Sequence, residues 1–144
     1  NVIEQVNNHA GCQLLTAHRR TGRETFDNFN TINFTSDPPS DKALGYTAMA
    51  HDERGHIAFS AITIVDDEEY QRRGNMSDEW MRELNGYTLL HEIGHSLGLE
   101  HDDTHANVMR KMAMFFYMGN TLVPEEMWAE YMDKLREQGI YCAK

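Results

Sequence analysis

Along the chain the spacing of apolar positions changes character near residue 77. Before it, short apolar runs alternate with turn residues; after it, the repeat becomes helical. Val2 to Asn8 has weak helical character and stops around Gly11. Cys12 to Arg20 (CQLLTAHRR) reads as a strand bounded by Thr21-Gly22. Thr31 to Thr35 alternates as TINFT, with Ile32 and Phe34 on one face, and Asp37-Pro38-Pro39-Ser40 ends it. Ala43 to Ala50 is a third strand. His56 to Val65 is the fourth and strongest, for its β-branched content, after a turn at Asp52 to Gly55.

Asp78 and Glu79, following Ser77, suit the positive end of a helix. Trp80, Leu84, Tyr87 and His91 then follow at helical spacing, with Leu90 and Ile93 alongside. The pattern predicts a helix to Leu97, ended by Gly98 in the left-handed conformation. Pro124 suits a first helical position. Met127, Tyr131 and Leu135 repeat at four-residue steps, Trp128 and Met132 lie beside them, and Gly139 closes the helix. Strands followed by helices indicate an α+β fold, and with no internal repeat or low-complexity tract residues 1–144 read as a single domain.

Composition narrows the function classes. With 144 residues, 40% of them hydrophobic, the chain can build one core. No run approaches the ~20 apolar residues of a membrane span. The opening NVIEQVNNHAG has neither a leader's basic-then-apolar order nor an initiator Met, so Asn1 reads as the start of a processed or excised chain. A net charge of -10, from 23 acidic against 13 basic residues, argues against nucleic acid as a partner. Cys12 and Cys142 lie near opposite ends of the chain. They fit either one disulfide, in an oxidising compartment, or two separate thiols.

The chemistry is concentrated in His91-Glu92-Ile93-Gly94-His95-Ser96-Leu97-Gly98-Leu99-Glu100-His101. Histidines four apart on a helix project from one face a turn apart, so His91 and His95 can share a cation at roughly 2.0–2.1 Å. His101 is not a whole number of turns further on. Gly98 lets the chain leave the helix and bring His101 under the same metal. Three neutral imidazoles leave a fourth tetrahedral position for water, the mark of a catalytic zinc site. Glu92 points beside the metal, where a general base for that water belongs. Other late first-row metals also suit three imidazoles. A solvent-facing helix that happens to be rich in histidine is the bland alternative, and the added Gly98 and His101 count against it.

The stretch HEIGHSLGLEH resembles the zinc signature of the metzincins, with the closest likeness to matrix metalloproteinase catalytic domains. The resemblance implies a twisted mixed β-sheet, an active-site helix, a Met-turn and a C-terminal helix. It also implies a secreted zinc endopeptidase acting on extended polypeptides. Asn107-Val108-Met109 lies eight residues past His101, so Met109 looks like the Met-turn residue, with Met112 its competitor. ALGYTAMAH resembles the edge strand on which the family lays its substrate, and SAITIVDDEEY the strand after it. Leu90 and Met112 to Phe116 would line a pocket preferring a medium or large apolar residue.

The chain departs from the family pattern as well. The family's first strand finds no match before Cys12, which fits an upstream part cut away, another segment or partner chain completing the sheet, or a reduced version of the fold. The loop carrying a structural zinc and calcium is missing, which leaves His51, Asp52 and His56 as surface residues before metal ligands. The run Asp66, Asp67, Glu68 and Glu69 is the remaining place for calcium, and the missing loop argues against calcium there. Arg110 and Lys111 stand where the family often has an aromatic and a proline, and Asp102 could anchor the Met-turn through a backbone hydrogen bond. No inhibitory propeptide cysteine is present. The leading reading is a zinc-dependent endopeptidase using Glu92. A zinc-stabilised, non-catalytic binding or structural module within a larger assembly is the alternative, and hydrolysis of a non-peptide amide has no positive sign.

Overall fold

The computed structural model describes residues 2–17, 30–35, 44–65, 78–111 and 123–143, apart from the side chains of residues 80 and 81. Helix α1 (Val2–Ala10) buries Val6 and is ended by Gly11 at φ 80°, a conformation glycine adopts without strain. Strands β1 (Thr31–Thr35), β2 (Gly45–His51) and β3 (Ile57–Val65) form a sheet in the order β1-β3-β2. β3 pairs parallel with β1 (Ile32 opposite Ile62) and antiparallel with β2 (Thr47 opposite Ile62). The central place falls to the most β-branched strand, and β2 is left at an edge.

Helix α2 (Asp78–Ser96) carries two apolar faces, because it lies between the sheet and the other helices. Ile93 packs on Ile62 and Ile64 of β3. Leu84, Tyr87 and Leu90 join Val6, Leu99, Val108 and Met109 in a second cluster, with Met127, Trp128, Tyr131 and Leu135 of helix α3 (Glu125–Glu137). Each such burial contributes about 1.5–3 kcal/mol. His91 follows Leu84 and Tyr87 at helical spacing, and its ring bonds to the backbone of Val108 in the second cluster. The α+β arrangement is the one the element order implied.

Most predicted elements stand within a residue or two of their expected bounds. Pro124 sits one position earlier than expected, at the cap of α3, where its carbonyl accepts from Met127 N–H (3.0 Å) and Trp128 N–H (3.1 Å). The expected strand from Cys12 to Arg20 is a correction: residues 12–17 form none, and 18–20 lie outside the described residues. Leu15 already spends its backbone groups on the Asn7 side chain, N–H to Oδ1 and carbonyl to Nδ2, both at 2.8 Å. Leu14 and Leu15 accordingly pack onto the helical core. Cys12 is bonded to Cys142 across 130 residues, so the two-thiol alternative does not hold. A loop that long confers about 4–5 kcal/mol in the chain-entropy estimate. The turns at Thr21-Gly22 and Asp37 to Ser40, the acidic run Asp66 to Glu69, Ser77, the Trp80 side chain and Met112 to Phe116 lie outside the described residues.

Candidate metal centre

The end of α2 sets the site. Gly98, at φ 101°, allows a Schellman closure in which Leu99 N–H reaches Gly94 O (2.8 Å) and Gly98 N–H reaches His95 O (3.0 Å). The chain then doubles back and presents His101 to the face carrying His91 and His95. The three Nε2 atoms lie 3.1 Å (His91–His95), 3.1 Å (His95–His101) and 3.3 Å (His91–His101) apart.

These contacts are not ordinary hydrogen bonds. His91 Nδ1–H donates to Val108 O at 2.7 Å, and His95 Nδ1–H to Leu99 O at 2.8 Å. A carbonyl only accepts, so in the neutral ring the proton is at Nδ1 and Nε2 carries a lone pair. Two lone pairs therefore face each other at 3.1 Å with no hydrogen between them. A cation removes that repulsion. A tetrahedral centre with bonds of about 2.0–2.1 Å would hold its nitrogens about 3.3–3.4 Å apart, close to the spacing seen. Burial pushes His91 down to about 4, opposed by its bond to Val108, and burial also lowers His101. Neutral imidazole is the ligating form.

Glu92 is 5% exposed, and burial raises its pKa against the lowering effects of the Thr47 hydroxyl and His95. Thr47 Oγ1 on β2 lies 2.5 Å from Glu92 Oε2 and 3.3 Å from the Glu92 carbonyl. Met109 is fully buried against Gly94. A Cβ at Gly94 would stand 2.5 Å from Met109 Sδ and 3.3 Å from Tyr131 Cε2, so a larger residue there would displace the Met109 thioether. Tyr131 O–H donates to Leu90 O at 2.9 Å and joins α3 to α2.

The Met109 turn is tied by Asn107. Its Nδ2 donates to Asp102 O (2.9 Å) and His105 O (2.8 Å), and its Oδ1 accepts from Met109 N–H (2.8 Å). Asp102 does reach the turn, through its own backbone N–H to Met109 O (3.0 Å). Its carboxylate turns elsewhere, to Lys134 Nζ at 2.6 Å and to Thr104. The Lys134 ammonium, first among these partners, holds that carboxyl well below the usual carboxylate range. Asp102, His105 and Glu130 also cluster, but His105 and Glu130 bond to each other and Lys134 already supplies the cation.

The other candidates part company with the site. Leu90 is 2% exposed inside the helical core, and the Met112 to Phe116 segment expected beside it is not described. Asp52 Oδ1 accepts the N–H groups of Arg54 and His56, both at 2.9 Å, which makes it a turn former. Neither it nor His51 or His56 joins a metal-ligand cluster among the described residues. Sequence reasoning missed Thr47, Gly94, Asn107 and Lys134. Only Gly94 carried a signal, as the small residue facing the turn from within the histidine motif.

No described helix is long and apolar enough to cross a membrane. No curated protein and no solved structure matches the chain. The matrixin family model does match, over residues 16–125, and that span takes in the edge strand, the three histidines and the Met109 turn. By that match and by a histidine triad able to hold zinc, the chain belongs to the matrixins, a family of zinc metallopeptidases.

Proposed function

We propose that residues 1–144 form a single catalytic unit, a zinc endopeptidase cleaving internal bonds of extended polypeptides. The observation that carries this reading is the pairing of three converging Nε2 atoms with a buried carboxylate on the adjacent residue. His91, His95 and His101 would hold zinc. When bound, zinc supplies a Lewis acid that acidifies water and polarises the scissile carbonyl. Glu92 takes the attacking water's proton at its carboxylate and delivers it to the leaving amine, so the peptide bond breaks with the proton balance kept. Burial suits Glu92 to this exchange, since raising its pKa makes the carboxylate a better proton acceptor than a solvated one. Met109 and Gly98 act as supports, one under the imidazoles and one at the reversal that delivers His101.

β2, at the edge of the sheet among the described residues, favours a peptide over a compact substrate, because an extended segment can add there by backbone pairing. The Cys12–Cys142 bond and matrixin membership favour an extracellular, oxidising setting. The acidic balance speaks against nucleic acid. A purely structural zinc module is the second reading. It has no use for a buried carboxylate at Glu92, which counts against it.

Assay of the zinc-loaded chain on a quenched peptide tests the proposal. Glu92→Gln should keep its zinc and lose turnover by about 10²–10⁴-fold. Chelation should abolish cleavage and added zinc restore it. Undiminished cleavage by the Glu92→Gln protein would rule the mechanism out.

A further inference from the structure

We propose that Thr47 is a positioning residue for the general base, an inference that rests on the endopeptidase reading. Thr47 pairs with Ile62 across the sheet and so shares the face that β3 turns towards α2. Its hydroxyl oxygen lies 2.5 Å from Glu92 Oε2 and 3.3 Å from the Glu92 carbonyl. A hydroxyl has one proton to give, and the nearer, charged acceptor takes it. Among the described residues no other group donates a hydrogen bond to this carboxylate. Glu92 is nearly buried, so bulk water is a poor substitute.

One carboxylate oxygen is thereby held and the other, Oε1, is left to accept the proton of the attacking water. A Glu side chain turns about three bonds, and a free carboxylate would present either oxygen in several orientations. The hydroxyl selects one. The brace also comes from the edge strand rather than from α2. A peptide pairing along β2 therefore lies on the strand that fixes the base, and substrate and base share one rigid reference.

The bland account is that Thr47 is an ordinary β-branched edge residue, with its hydroxyl parked on a nearby acceptor. The two accounts separate on the hydroxyl alone. Thr47→Val keeps shape and loses the donor; Thr47→Ser keeps the donor and loses a methyl. Zinc-loaded Thr47→Val should lose about 10–100-fold in kcat, with KM little changed, and Thr47→Ser should recover most of the loss. Thr47→Ala, which adds no volume, should match Thr47→Val.

A second readout needs no metal. The Glu92 carboxylate bands in the infrared, isolated by subtracting the Glu92→Gln spectrum, should move in Thr47→Val and stay in Thr47→Ser. Parental kcat in Thr47→Val, equal impairment in Thr47→Ser, or an unmoved band would each overturn the proposal. Glu92→Gln, assayed alongside, keeps the two ideas apart: if it cleaves normally the general-base role of Glu92 falls, whereas an inert Glu92→Gln beside a fully active Thr47→Val removes only Thr47.

Discussion

Two of the three histidines are built into the molecule and the third is brought to it. His91 and His95 stand on α2 with each Nδ1–H committed to a backbone carbonyl. His101 is exposed, leaves the helix through Gly98, and is steadied at one remove by its neighbour Asp102, which holds Met109 and Lys134. The contrast shows where rigidity is needed. Tautomer and ring plane are fixed at the helical pair by main-chain acceptors that cannot rotate away, whereas the third ligand is located chiefly by the path of its backbone. The helical pair should therefore belong to the fold, and His101 to the metal.

The largest expected effect tests that division. Zinc sites of four ligands bind with about 10–16 kcal/mol, so a ligand is worth about 3–4 kcal/mol. His101→Ala should then lose two to three orders of magnitude in zinc affinity, read by competition with a chelator. The melting temperature of the metal-free protein should stay where it was. A clear drop in that temperature would show His101 to be part of the core scaffold and would erase the contrast.

Gly94→Ala should behave in the opposite way. Its new methyl carbon would stand 2.5 Å from Met109 Sδ, and Tyr131 closes the other side at 3.3 Å. Overpacking of this kind costs about 1–3 kcal/mol. The loss should appear in denaturant unfolding of the metal-free chain, with zinc affinity falling as a consequence. Met109→Ala in the same background should relieve part of it, because the clash is with that side chain.

How much of this was legible beforehand follows from how local each signal is. The ends of α2 and α3, the strand TINFT and the left-handed Gly98 depend on near neighbours, and the sequence pattern placed them well. The stretch from Cys12 failed for a nonlocal reason. Its alternation suits a strand, yet the side chain of Asn7, eight residues from Leu15, takes both of Leu15's backbone groups. The histidine spacing was readable because a helix turns by a fixed angle. Thr47 was not, because its bond to Glu92 joins residues 45 apart, and nothing in ALGYTAMAH marks one threonine as the inward one. Asn107 was quoted only as a neighbour of Met109, although it ties the turn with three hydrogen bonds.

The smallest effect probes the indirect hold on His101. Lys134→Met removes the ammonium 2.6 Å from Asp102 and 3.9 Å from Glu130, while keeping the aliphatic stem. Because Asp102 touches the loop and not the metal, zinc affinity should fall by less than about tenfold, below the usual cost of losing a direct partner of a ligand. The pH dependence gives the sharper mark. A carboxyl lowered in the folded state adds stability that is complete above its unfolded value of 3.8 and is lost as pH falls through the lower folded value. The metal-free variant should thus melt slightly below the parent at a constant offset from about pH 5 to 8. The offset should shrink in acid below that range, as Asp102 takes up its proton in both proteins. An offset that widened in acid would mean that Asp102 is not the group Lys134 serves, and the tether behind His101 would have to be sought at Thr104 and Asn107 instead.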